Sequence, residues 1–407
     1  MLEHAGAALA AATAGQRAQP QRAAQPRLDR GLAVVGMSIS TTCGMRDHAT
    51  LLAQALEQRG AHCSMHWLSR ETQSFSPSRA QIRAWADRLA RDLAETRPAA
   101  AVLHYSPFAY GHRGVALHLH SVLGAMRKAK LPVLCVAHEL AYPWGRGGVR
   151  GRTWAVTQRL ELVQLLRSSK AMLVTADFQR DWLATRRWLP HRPMLVAPVF
   201  SNLPPPQPTS QRSDRTPLIG VFGYAYQGAE LSLVVDALAL LRDRGSSARL
   251  VLLGAPGRDS GAAEEWLAAA RSRGVEQLLG FDGPLPAQQL SNELARCDVV
   301  VSCARLGPSS RKGTLAGSLA SGAAVVAVDG PLRWQELLDA QAAEVVSPTA
   351  QALADALAEL LADEPRRAAL GARGREFAQS RMGVERTATA VLALLADIDG
   401  VAPAPSA

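Results

Sequence analysis

From position 31 onward, apolar runs of strand length alternate with longer stretches whose apolar residues recur at helical spacing. LAVVGMSIS is followed by HATLLAQALEQRG, AHCSMHWL by RAQIRAWADRLARDLAE, and AAAVLHY by GVALHLHSVLGAMRKAK; then come LPVLCVAH, a helical stretch near 151–168, AMLVTA and PMLVAPV. The strands are near-continuous Val, Leu and Ala, the pattern of a parallel sheet covered by helices on both faces. This predicts a doubly wound α/β domain over 31–203. The tract PPPQPTSQRSDRT, 204–216, offers nothing to pack and reads as a linker. The alternation then resumes with PLIGVFGY, LSLVVDALALLRDRG, RLVLLGAP, AAEEWLAAARSRG, VEQLLGFDG, VVVSC and AAVVAVDG, predicting a second domain of the same class over 217–381. A closing helix over 382–397 carries an apolar stripe at Val391, Leu394 and Leu395, suited to packing back on the first domain. Open α/β sheets bind ligands outside the carboxyl ends of their strands, so the expected site is a cleft between the domains.

Composition narrows the ligand. Residues 1–30 are rich in Ala, Gln and Arg without periodicity and are expected to be disordered. Lys and Arg exceed Asp and Glu by 45 to 35, a formal net charge of +10, which favours anionic partners. The basic residues are scattered, without aromatic interleaving or a recognition helix, so nucleic acid is not expected. Five cysteines with no CxxC pair exclude a disulfide framework and a cysteine zinc site and fit a reducing, cytoplasmic compartment. No apolar run is long enough to span a bilayer, which leaves peripheral contact with the anionic inner face of a membrane. Oligomeric state is not legible.

The order and spacing of several stretches carry a resemblance: SISTTCGMRDHATLLAQAL after the first strand, HYSPFAYGHRG at 104–114, VLCVAHELAYP at 133–143, LGFDGPLPAQQLSNELARCDVVVSC, and LAGSLASGAAVVAVDG. Together they resemble the family-4 glycosyltransferases of GT-B architecture: two Rossmann-like domains face each other across a cleft and a sugar moves from a nucleotide donor with retention. The resemblance implies a UDP- or GDP-sugar as co-substrate, no further cofactor, an acceptor not identified by the sequence, and use in polysaccharide, glycolipid or natural-product biosynthesis. Alignment on ASG at 320–322 places Ser309 and Gly317 where that family keeps two glutamates, and Gln227-Gly228 where it keeps a Lys-Gly pair. These departures leave two alternatives: a catalytically silent binding or scaffolding subunit, and a non-glycosidic coupling enzyme using the same cleft.

Within GPSSRKGTLAGSLASG, Arg311 and Lys312 stand at the start of a predicted helix, where the dipole disfavours cations unless an anion is bound. With Ser309, Ser310, Gly313 and Thr314, and with Gly223, Gln227 and Gly228 after the first strand of the second domain, they make the expected diphosphate cradle. Side-chain cations replace a divalent ion there, and no metal is expected. On the first domain, His138 and Glu139 close a strand and are the expected catalytic pair: a histidine to orient the acceptor hydroxyl and a carboxylate to serve as base. Gly44, Arg46, His104, Tyr105, His112 and Arg113 are expected to line the acceptor side. Asp47 and Asp177 read as helix caps. The loop carrying Tyr142, Trp144, Arg146, Arg150 and Arg152 reads as solvated, with acceptor or membrane contact as its other use.

Overall fold

The computed structural model describes residues 30–40, 43–70, 75–207, 216–223, 228–254 and 257–398. The leader (Arg30 apart), residues 208–215 of the linker and Gln227 lie outside the described residues.

Among the described residues, eight strands belong to the first domain: β1 (Leu32–Ser38), β2 (Cys63–Ser69), β3 (Ala100–Tyr105), β4 (Gly111–His112), β5 (Val115–Ala116), β6 (Val133–Ala137), β7 (Ala171–Val174) and β8 (Met194–Val196). All but β4 and β5 form a parallel sheet in the order β2-β1-β3-β6-β7-β8; β4 and β5 make a small antiparallel pair. The second domain has β9 (Leu218–Phe222), β10 (Arg249–Leu253), β11 (Leu279–Gly283), β12 (Val299–Ser302), β13 (Ala324–Val328) and β14 (Glu344–Val346), parallel in the order β11-β10-β9-β12-β13-β14.

Burial explains the continuous apolar runs. Along β1, Ala33, Val35 and Met37 enter one core while Leu32 and Val34 enter another on the opposite face; β3 divides its residues in the same way. Both faces are covered, so both positions of the two-residue repeat are mostly apolar, with buried polar side chains such as Ser38 and His104 confined to the carboxyl ends. The helix Val384–Ala396 belongs to the first domain's core: Ala388, Val391, Leu394 and Leu395 pack with Leu52, Leu56 and Phe200. Arg59 of the first domain forms an ion pair with Glu385 at 2.8 Å and donates to Thr389 at 2.6 Å, fastening the helix from outside.

The domains also meet at the loop before the helix Gly313–Ser321. Val199 N–H donates to the Ser310 carbonyl at 2.8 Å, and Ser310 Oγ donates to the Thr175 carbonyl at 2.8 Å. These bonds, with Ser310 buried, tie the cation-bearing loop to the first domain. No helix among the described residues is long and apolar enough to cross a membrane.

Candidate active site

Each sheet reverses its strand order once, between β1 and β3 in the first and between β9 and β12 in the second. Side chains beyond the carboxyl ends of those strands line a cavity of about 550 Å³: Ser38, Ser106 and His138 on one wall, Phe222, Ser302 and Lys312 on the other. Both switch points therefore open into one space, the position at which such sheets take ligands.

The second-domain wall is built around the start of the helix Gly313–Ser321. Lys312 occupies its N-cap in an extended conformation, φ −98° and ψ 106°, and no side chain caps the helix. Its first amides are thus left to a ligand or solvent. Burial lowers the Lys312 pKa, and the neighbouring Arg311 charge lowers it further against the opposing pull of Glu230 and Glu139. A cation held in this way is short of counter-charge. Arg311, Lys312, Gly313 and Thr314 all line the cavity. Gly223 lies behind them at φ +111°, where a Cβ would stand 2.6 Å from Thr314 Cγ2. Gly223→Ala is expected to cost about 1–3 kcal/mol and to lower the melting temperature by a few degrees; an unchanged melt would show that the backbone at 223 relaxes away from its positive φ.

Three positions of the expected cradle take other roles. Ser309 and Ser310 are each 3% exposed, with Ser310 Oγ on Thr175 and Ser309 Oγ accepting from Arg311 N–H at 3.4 Å, so neither hydroxyl lines the cavity. Gly228, at φ +57°, is the N-cap of the helix Ala229–Asp243. Glu230, in the first turn of that helix, accepts from Arg305 N–H at 2.5 Å.

On the first-domain wall, His138 lines the cavity just past β6. Burial and then the Arg311 charge push its pKa down to about 4, so the ring is neutral at pH 7. Its Nε2 stands 3.2 Å from His104 Nδ1, and its backbone is held by the Tyr105 carbonyl at 2.9 Å and Gln179 Nε2 at 3.2 Å. Glu139 reaches across the cleft to Arg311 at 2.9 Å and accepts from Ser106 Oγ at 3.0 Å. The expected base and the expected phosphate clamp are thus partners. Gly44 lines the cavity, and its carbonyl accepts from Asn202 Nδ2 at 2.8 Å.

The remaining acceptor candidates separate. His104 is fully buried behind His138, and Tyr105 is buried with its hydroxyl donating to Glu161 at 3.0 Å, so it belongs to the core and not to the cleft wall. Arg46 is exposed in the first turn of the helix Gly44–Glu57 and is absent from the cavity lining. His112 and Arg113 line a side cavity of about 180 Å³ with Arg70 and Trp154.

Two features were not legible in the sequence. His48 reaches the cavity from the helix Gly44–Glu57 and stacks on Phe200 with ring centroids 4.0 Å apart; its only signal was a place after the first strand. A second cavity, of about 630 Å³, adjoins the first at Phe108, Glu139 and Arg311 and is lined by Tyr142, Arg146, Arg159 and Trp182. Arg159 stacks over the Trp144 ring at 4.5 Å and donates to the Tyr142 carbonyl at 2.9 Å, so the basic aromatic loop is partly built into this wall.

Comparison with known proteins follows the same division of the chain. Residues 216–363 match the model of a family described as glycosyl transferases group 1. A search of curated proteins finds no match. Among solved structures, the sucrose-phosphate synthase of Thermosynechococcus elongatus superposes with a TM-score of 0.65 at 16% identity, covering 90% of this chain and 98% of that one. Anabaena Alr3699/HepE, solved with UDP and glucose, gives 0.64 at 15% identity over 91% and 100%. A glycosyltransferase from Rickettsia africae gives 0.66 at 12% identity over 91% and 100%. The two facing sheets are therefore the GT-B fold, and its second half is similar to the group 1 glycosyl transferases.

Proposed function

We propose that the chain transfers a sugar from a nucleoside-diphosphate donor, UDP- or GDP-linked, to an acceptor hydroxyl, with retention at the anomeric carbon as in family-4 enzymes. The observation that carries this reading is the uncapped start of the helix Gly313–Ser321, with Lys312 and Arg311 beside it, facing neutral His138 across the cavity. The family match over the second domain and the UDP and glucose held by HepE support a nucleotide-sugar donor.

The donor diphosphate lies at the helix start, where backbone N–H groups and the Lys312 ammonium offset its charge. Arg311 joins it by exchanging Glu139 for phosphate oxygen. The acceptor enters from the first-domain side, and its hydroxyl donates a hydrogen bond to His138. When His138 donates from Nε2 to His104 Nδ1, its own Nδ1 lone pair is left for that hydroxyl. The departing diphosphate takes the acceptor proton, and the cations stabilise the charge that builds on it. The second cavity, with Arg146, Arg159 and Trp182, suits the body of an acceptor that is both apolar and anionic. Exposed Trp144, Val149, Val156 and Leu160, beside exposed Arg146, Arg150 and Arg152, suit peripheral contact with an anionic membrane in glycolipid or polysaccharide synthesis.

A silent binding subunit is the second reading, favoured by the pairing of Arg311 with Glu139, in which each already neutralises the other. A screen of UDP- and GDP-sugars by thermal shift, followed by a donor-consumption assay in EDTA, separates the two. Transfer predicts a higher melting temperature with one donor class and turnover that persists under chelation, because Lys312 and Arg311 supply the positive charge. A shift without donor consumption supports the silent subunit. Turnover lost in EDTA and restored by magnesium contradicts the protein-only cradle.

A further inference from the structure

Three histidines converge on the first-domain wall of the cleft: His48 from the helix Gly44–Glu57, His104 from the end of β3 and His138 from just past β6. One ring nitrogen of each lies within 4.8 Å of the other two. His48 is 2% exposed and His104 0%, and His48 Nδ1 has no hydrogen-bond partner. A buried imidazole nitrogen left without a partner is costly unless something fills the place.

We propose that His48, His104 and His138 bind a divalent transition metal of the Zn²⁺ or Co²⁺ type, and that occupancy of this site switches off the His138 ring used in transfer. The second half of this statement rests on the proposed function; the first does not.

Imidazole nitrogen is a preferred ligand for these ions, and three protein nitrogens with a fourth position left to water make a familiar zinc arrangement. Nitrogens sharing a tetrahedral Zn²⁺ at ~2.0–2.1 Å stand about 3.4 Å apart. His104 Nδ1 and His138 Nε2 are already 3.2 Å apart, near that spacing; with ring centroids 5.5 Å apart the two nitrogens point at each other, so both rings swing toward the ion as His48 closes in. Burial holds all three rings well below ordinary histidine basicity, in the neutral form that a metal requires. The opposing influence is the Arg311 guanidinium near His138, which Glu139 offsets at 2.9 Å.

Proton positions give the consequence. In the tautomer that leaves His138 Nδ1 free for the acceptor, His138 Nε2 donates to His104 Nδ1. A metal takes both of those nitrogens, and the His138 proton moves to Nδ1, the atom that accepts the acceptor hydroxyl. No proton is lost to solvent and no redox change occurs, yet the ring has no lone pair left for substrate.

The test uses the full chain, stripped with EDTA and exchanged into chelator-free buffer. Titration with CoCl₂ is expected to saturate at one ion per chain, with the intense visible bands of a tetrahedral site, and ZnCl₂ is expected to displace it. His48→Phe keeps the stack on Phe200 and removes one ligand; it is expected to weaken cobalt binding at least tenfold. X-ray absorption at the zinc edge of the wild-type protein needs no variant and is expected to count three imidazoles. No saturable cobalt binding, binding unchanged in a folded His48→Phe, or fewer than three imidazoles overturns the site. Zn²⁺ is expected to lower turnover while leaving UDP affinity unchanged. Full turnover in the zinc-loaded protein overturns the switch alone, and because metal binding is read without turnover, failure of the transfer reading shows separately.

Discussion

His138→Ala is expected to lower turnover by roughly 10²–10⁴-fold, with UDP affinity within about twofold of the wild type. The ring stands on the wall opposite Lys312, and in the proposed transfer it holds the acceptor hydroxyl, so its loss is expected to leave the acceptor misplaced and the nucleotide held. The pH profile gives a second readout. An unperturbed histidine titrates near 6.5, whereas burial and the Arg311 charge hold His138 at about 4. The ring stays neutral as pH falls through 6, so the acid limb of kcat/KM is expected to lie well below 6. Because the folded pKa is depressed, the stability tied to the neutral ring is complete above about pH 6.5 and is lost as pH falls toward 4. Buried His48 and His104, held low for the same first reason, share that sign. Removing the Arg311 charge is expected to move the limb upward. A variant that loses UDP affinity as severely as turnover would mark His138 as part of the donor site.

The two facing sheets were legible because strands buried on both faces are near-continuously apolar, and short Val-rich runs such as those around Val136, Val301 and Val326 fit buried strands. The cleft followed from fold class alone. Which side chains enter it did not follow, because that depends on pairings between distant residues. His104 and Tyr105 are neighbours on β3 and point to opposite faces; Tyr105 shares its face with Ala101 and Leu103, and its hydroxyl donates to Glu161, 56 residues later. Burial raises the Glu161 pKa to about 8, against the two hydrogen bonds it accepts. Ser310 was expected to face phosphate, and a carbonyl 135 residues away claims it instead. The Glu139–Arg311 pair spans 172 residues, and the sequence offers no register to connect them. His48 was hidden for a similar reason: its partners lie on β3 and beyond β6, and only the strand order β1-β3-β6 brings them beneath the same turn.

Lys312→Ala and Arg311→Ala are each expected to weaken nucleoside-diphosphate binding, because a charge-assisted hydrogen bond contributes about 1.5–3 kcal/mol, a factor of roughly 10–150. Lys312 should show the larger effect. It stands at the N-cap with its charge short of partners, whereas Arg311 must first release Glu139. Glu139→Gln separates the two contributions: freeing Arg311 is expected to leave nucleotide affinity unchanged or tighter. If Glu139 acts only by holding Arg311, turnover should fall less than in His138→Ala. Gln227→Lys places a cation where the family-4 resemblance puts a lysine, and is expected to restore part of the affinity lost in Lys312→Ala. Turnover should fall further than affinity in both alanine variants, since charge on the leaving diphosphate grows as the bond to the sugar breaks. The most direct measurement is calorimetric titration of UDP and GDP into the wild type, Arg311→Ala and Lys312→Ala. The cradle predicts saturable wild-type binding of at least one nucleotide and a loss of an order of magnitude or more in Lys312→Ala; equal affinity in all three proteins would contradict it.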